Sequence, residues 1–290
     1  MQDLTEALVE LIRRTSSDLP ADVEDALKQA REREADGSAA QGALDTILEN
    51  VVMARRDSTP ICQDTGTPIF YVHYPPGWST RELKDQIRAA IAEATRRTYL
   101  RPNAVDSVSG KNSGNNLGDE AFPTIHFDEI EGHELSIDLM LKGGGCENVG
   151  AQYALPDSRV GAGRDLEGVR KVVLDAVHNA QGKGCAPGVL GVAIGGDRGS
   201  SYARSKETLF QPLGESQADP ELAQLETRLT KESNQLGIGP MGFGGETTVL
   251  DVKIESMHRL PASFFVSVSY MCWAHRRHRM TVQGDEVHYQ

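Results

Sequence analysis

The sequence is short of the features that usually announce a site. It has four cysteines in 290 residues and no Cys-x-x-Cys pair among them, which removes the usual spacing of a structural zinc site. Gly-x-Ser-x-Gly, a Walker phosphate loop and His-Glu-x-x-His are absent, so hydrolase and nucleotide-driven chemistries lose their ordinary signatures. No run approaches the roughly 18 consecutive apolar residues that cross a bilayer. The most apolar stretch, Phe264 to Trp273, reads as a buried strand. The start Met1-Gln2-Asp3 lacks the basic segment, apolar stretch and small-residue cleavage site of a signal peptide, so a cytosolic protein is expected. Positive charge is also scarce: 30 Lys and Arg against 42 Asp and Glu leave a formal net charge of −12, which repels nucleic acid. The one local basic cluster, Arg276, Arg277 and Arg279 with His275 and His278, reads either as a solvated surface turn or as a contact for a small acidic substrate or a partner subunit.

What is present is an ordinary globular composition, 39 % hydrophobic, with 29 glycines, many of them clustered in short runs such as Gly143-Gly144-Gly145 and Gly195-Gly196. Such runs let backbone turn with positive φ or approach a ligand closely. Leu4, Leu8, Leu11 and Ile12 recur at helical spacing, as do Val23, Leu27 and Ala30, and a third helical pattern covers Ala40 to Ala54. Further helices are expected over Thr80 to Thr98, Leu166 to Ala180 and Glu221 to Leu236. Strands are expected at Ile69 to Val72, Gly188 to Ile194, Thr247 to Glu255 and Ser263 to Tyr270. Thr124 to Phe127 and Leu135 to Leu141 read as two neighbouring strands joined at Glu131-Gly132. The regular strand–helix–strand unit of a doubly wound sheet is missing. The fold is therefore expected to be mixed α/β (α+β), a helical region over about residues 1–58 followed by a mixed sheet packed with helices, in a single domain over residues 1–290.

The cysteines stand at 62, 146, 185 and 272. In a reducing compartment they are packed thiols or metal ligands, not structural disulfides. Cys62 precedes Gln63-Asp64-Thr65-Gly66, and Cys185 sits in Gly182-Lys183-Gly184-Cys185-Ala186-Pro187-Gly188. Loops of this kind can present a thiolate, and dispersed cysteines can converge on an iron–sulfur cluster because the fold brings them together. Gly237-Ile238-Gly239-Pro240-Met241-Gly242 satisfies the dinucleotide pattern, but it follows a helical pattern instead of a strand and contains proline, so it is set aside.

Ile61-Cys62-Gln63-Asp64-Thr65-Gly66, Leu100-Arg101-Pro102-Asn103-Ala104, Gly110-Lys111-Asn112-Ser113-Gly114-Asn115, Lys142-Gly143-Gly144-Gly145 and Gly237 to Gly242 together resemble class I fumarases. His258-Arg259-Leu260-Pro261-Ala262-Ser263 and Cys272-Trp273-Ala274-His275-Arg276-Arg277 resemble the alpha subunit of two-subunit fumarases and L-tartrate dehydratases. The likeness runs from about residue 5 to about residue 280 and implies a fold like the class I fumarase N-terminal domain.

The resemblance implies that Cys62, Cys185 and Cys272 hold a 4Fe-4S cluster with one iron open to substrate, while Cys146 lines the pocket or is neutral. It implies a general acid–base role for Asp64. Substrate contacts are implied for Gln63, Arg101, the backbone of Gly144 and Gly145, and His258. An arginine fork suits a carboxylate, and glycine lets N–H groups reach one. The family's C-terminal domain, which brings a catalytic threonine base with further Arg and Lys contacts, has no counterpart before Gln290. A separately encoded beta subunit and an α2β2 assembly are expected. The implied reaction is hydration of fumarate to L-malate. Dehydration of L-tartrate to oxaloacetate is the alternative, with mesaconate hydration and a non-catalytic iron–sulfur sensor or scaffold behind it.

Overall fold

The computed structural model describes residues 2–290. In chain order the helices are α1 (Thr5–Ser17), α2 (Ala21–Arg33), α3 (Ala39–Asp57), α4 (Thr80–Arg96), α5 (Gly144–Asn148), α6 (Leu166–Ala180), α7 (Arg198–Glu207) and α8 (Pro220–Asn234). The strands are β1 (Thr67–Tyr74), β2 (Thr124–Glu129), β3 (Leu135–Lys142), β4 (Ala151–Ala154), β5 (Gly188–Ile194), β6 (Val249–Ser256), β7 (Phe265–Met271), β8 (Arg277–Gln283) and β9 (Glu286–Tyr289). Helices and mixed sheets coexist, as the mixed α/β expectation requires. No helix among the described residues is long and apolar enough to cross a membrane.

The chain divides into two compact units. The first comprises the residues through Pro20, Glu49–Gly144 and Ala274–Gln290, and the second comprises Ala21–Leu48 and Gly145–Trp273.

The first unit is built on a five-stranded sheet of order β2-β1-β3-β8-β9. Leu8, Leu11 and Ile12 of α1 and Leu83, Ile87 and Ile91 of α4 pack with Phe70, Val72, Ile137, Leu139 and Leu141 of the sheet. Each such side chain contributes about 1.5–3 kcal/mol on burial. β2 and β3 do not pair, contrary to the expected hairpin: β1 lies between them, parallel to β2 and antiparallel to β3. β1 is buried along most of its length, Pro68 through Val72, and so takes the interior position. β2 is largely open to solvent and takes the edge. The basic cluster is likewise not a surface turn. Arg277–Gln283 is strand β8, and the preceding His275 and Arg276 are 0 % and 1 % exposed.

β8 also carries a pH-sensitive group. The His278 imidazole has no hydrogen-bond partner at Nδ1, and burial, opposed by Asp18 and reinforced by Arg277 and Arg14, pushes its pKa down from 6.5 to about 4. The folded state therefore takes up fewer protons than the unfolded chain between those values. Stability is full above pH 6.5, falls as pH drops towards 4, and loses about 3 kcal/mol at most through this group. The fall in melting temperature between pH 7 and pH 4.5 should be smaller in His278→Leu than in the parent. An identical fall in both proteins would show that His278 does not set it.

The second unit is built on a four-stranded sheet of order β4-β7-β5-β6, with β5 parallel to β6 and antiparallel to β7. Val169, Val172, Val173 and Val177 of α6 and Leu222, Leu225 and Leu229 of α8 cover Leu190, Val192, Val252, Ile254, Val266 and Val268. α7 packs differently, through hydroxyls. Ser201 and Ser205 meet Ser267 and Ser269 of β7 at 2.7 and 2.8 Å, which brings helix and sheet close and leaves α7 no apolar stripe to read in the sequence.

Candidate active site

In the first unit the residues singled out from the sequence gather on the loop between α3 and β1. Gly66 has φ +81°, and a Cβ there would stand 2.7 Å from the Leu141 carbonyl carbon and 2.8 Å from the Lys142 nitrogen. Only glycine lets this loop lie against the end of β3, where Gly144 follows. That approach places Asp64. Its Oδ1 accepts from the Gly66 N–H at 2.9 Å and its Oδ2 from the Gly144 N–H at 2.7 Å, so both oxygens are aimed by main-chain donors. The Asp64 carbonyl accepts from the buried Arg276 guanidinium at 2.9 Å. The amide of Gly144, expected to meet a substrate carboxylate, thus already holds a carboxylate in this chain. Gln63 is exposed and Cys62 partly exposed.

Arg101 is exposed and donates from Nη1 to the Gln63 carbonyl at 3.1 Å, while its main-chain N–H donates to Thr65 Oγ1 at 3.2 Å. Asn103 Nδ2 donates to the same Thr65 oxygen at 3.1 Å. The structure therefore brings Asp64, Gln63, Arg101 and Gly144 into one hydrogen-bonded neighbourhood through Thr65, to which the sequence reading gave no site role, and through Arg276, which it placed only in a basic cluster.

The remaining candidates belong to the second unit. Cys185 closes the 3₁₀ turn Gln181–Gly184 in the left-handed region, φ 54° and ψ 61°, where a non-glycine residue is uncommon. Its carbonyl accepts from the Trp273 N–H at 3.3 Å, which ties it to the chain directly after Cys272. Beneath this loop lies the Tyr270 ring. A Cβ on Gly184 would stand 2.5 Å from it and one on Gly188 2.3 Å, so the glycines on either side of Cys185 exist to admit the ring. Burial pushes the Tyr270 hydroxyl well above its ordinary pKa, and Cys272, Cys146 and Cys185 add to that push. Three of the four thiols thus lie within electrostatic reach of one phenol. Gly145 stands beside them, since a Cβ there would lie 3.6 Å from the Lys183 carbonyl oxygen.

None of the four cysteines is in a disulfide; Cys62 and Cys185 are partly exposed and Cys146 and Cys272 buried. Among the described residues no group of three or more His, Cys, Asp or Glu side chains is gathered to hold a single metal ion. His258 is exposed in the turn after β6, where its carbonyl accepts from the Gly196 N–H at 3.2 Å.

The sequence matches the family Fumarate hydratase (Fumerase) over residues 5–281. It is 50 % identical over 280 residues to a Geobacillus stearothermophilus protein provisionally named fumarate hydratase class I, covering 96 % of this chain but 54 % of that protein. The chain thus spans about half the length of that relative. A Methanocaldococcus jannaschii protein provisionally named L(+)-tartrate dehydratase subunit alpha is 36 % identical over 94 % of this chain and 95 % of its own length. The L(+)-tartrate dehydratase subunit alpha of Escherichia coli K12 is 34 % identical over 97 % of this chain and 91 % of its own.

Proposed function

Because the chain belongs to the fumarate hydratase (Fumerase) family, we propose that it is the alpha subunit of an iron–sulfur hydro-lyase acting on a small dicarboxylate, with fumarate to L-malate as the leading reaction. One observation carries the reading. A carboxylate two residues beyond a loop thiol, Asp64, has both oxygens aimed by backbone donors, and an exposed arginine fork is tied to the same loop.

The donor set fits a cluster. Three loop or strand-end thiols, none in a disulfide, are what iron–sulfur chemistry takes, and a left-handed Cys185 seated on Tyr270 is a preset ligand position. Cys62, Cys185 and Cys272 would hold a 4Fe-4S cluster. When bound, it supplies a Lewis-acidic iron for the hydroxyl that is added or lost.

The chain's own residues do the rest. Arg101 takes one substrate carboxylate with its fork, and Gln63 contributes a side-chain amide beside it. Asp64 holds or releases the proton of the water at its carboxylate, a step worth about 10²–10⁴ in rate. Gly145 offers its main-chain N–H to the second carboxylate, while the Gly144 N–H stays on Asp64, and His258 orients the substrate. The base for the C–H proton comes from a separately encoded beta subunit in an α2β2 complex. The names of the Methanocaldococcus and Escherichia relatives, which this chain matches over nearly their whole length, support a partner. Four cysteines outside any disulfide suit a reducing cytosol.

L-Tartrate dehydration is the second reading, favoured by the same two relatives. Anaerobic co-purification with the partner chain, iron counting, and kcat/KM for L-malate, L-tartrate and citramalate test both. Preference for L-malate supports the first reading and preference for L-tartrate the second. Iron-loaded complex that turns over none of the three overturns the hydro-lyase assignment. Normal turnover by the iron-loaded alpha chain alone overturns the partner.

A further inference from the structure

We propose that Asn116 is the positioning residue for Arg101: it sets the guanidinium that takes a substrate carboxylate, and Thr65 links that setting to the Asp64 loop. The inference rests on the carboxylate-binding role given to Arg101 above.

Asn116 is 2 % exposed and sits at φ 59°, a left-handed conformation that asparagine tolerates better than other side-chain-bearing residues. Its side chain has two donor and two acceptor positions, and all four are used. Oδ1 accepts from the Asn103 N–H at 2.7 Å and the Ala104 N–H at 3.2 Å. Nδ2 donates to the Arg101 carbonyl and to Thr95 Oγ1 at 3.2 Å. The main chain on both sides of Pro102 is thereby clamped, and Thr95, near the end of α4, anchors the clamp to a packed helix. Thr65, fully buried, receives the Arg101 N–H and the Asn103 side chain, so the guanidinium and Asp64 are held by one continuous network. Beyond Asn116 and Thr65, no described contact holds the Arg101 main chain. The Gly110-to-Asn115 segment, which carries part of the family likeness, thus acquires a role: it delivers the next residue, a left-handed asparagine, to the back of a binding arginine.

Asn116→Asp separates positioning from simple packing. The aspartate keeps the two acceptor bonds and the size. It replaces the donor arm with an oxygen facing the Arg101 carbonyl and Thr95 Oγ1, so the disturbance falls first on the Arg101 main chain and its helix anchor. In the iron-loaded complex, KM for the preferred dicarboxylate should rise roughly tenfold or more with kcat held within about threefold, the pattern of lost ground-state binding. The Kd of succinate, a saturated dicarboxylate that does not react, should rise by the same factor in calorimetry. In an Arg101→Met background, Asn116→Asp should add nothing to either constant, because the group it positions is gone. Thr65→Val, which removes the other anchor at nearly constant shape, should raise the succinate Kd in the same direction.

Additive effects in the double variant, or an unchanged Kd in both Asn116→Asp and Thr65→Val, would overturn the inference while the parent complex stays active. A parent complex that neither binds succinate nor turns over any dicarboxylate would instead remove the reading on which it rests.

Discussion

Asp64→Asn is expected to lower kcat of the iron-loaded alpha–beta complex by about 10²–10⁴ with a far smaller change in KM. The substitution preserves shape and leaves one oxygen for a main-chain donor. It cannot satisfy both the Gly66 and Gly144 N–H groups that now aim the carboxylate, and it has no basic oxygen to exchange a proton with water. The carbonyl of residue 64 keeps its bond from Arg276, so the loop and its thiol should stay in place. Iron content and melting temperature should therefore match the parent while turnover collapses. An undiminished rate would remove the acid–base role and bring forward the non-catalytic iron–sulfur reading, in which this carboxylate is only a turn former.

The second large effect concerns the thiols, and it separates ligands from bystanders. Cys185→Ser should reduce the iron content of anaerobically prepared protein to background, abolish its brown absorbance and remove turnover, because a serine hydroxyl is a poor donor to iron–sulfur chemistry. The same result is expected for Cys62→Ser and Cys272→Ser. Cys146→Ser should keep its iron, although Cys146 shares the surroundings of Tyr270 with Cys185 and Cys272. The backbone gives a reason to look first at Cys185. A non-glycine residue held left-handed costs about 1–2 kcal/mol, and such strain persists where the surrounding structure uses the side chain direction it creates. Here Tyr270 below and the Trp273 amide beside it hold that direction. Iron retained in Cys185→Ser and lost in Cys146→Ser would reassign the ligand set.

The amphipathic helices were legible because their apolar residues recur with the helical period: α6 spans Leu166–Ala180 as its valines foretell, and α1, α2 and α4 begin within two residues of the expected places. α7 was not, because it meets its sheet through serines, and serine at helical spacing carries no hydrophobic signal. The loop motifs around Cys62, Arg101 and Gly144 were legible as candidates for chemistry. Thr65, Asn116 and Arg276 were not, since each acts through bonds to main-chain atoms that any residue type supplies, and only the partners' positions reveal the role.

By itself, then, the order of residues determined the mixed helical and strand content, the family, and the short list of thiols, carboxylate and arginine on which a function can be built. These depend on local periodicity and on side-chain type, which are properties of the string. Tertiary structure alone decided that β1 separates β2 from β3, that a basic cluster is a buried strand entry, and that an asparagine near residue 115 stands behind Arg101. Strand pairing, burial of charge and the use of one amide side chain by several main-chain groups are contacts between residues apart in the chain, and they exist only once the apolar faces have closed.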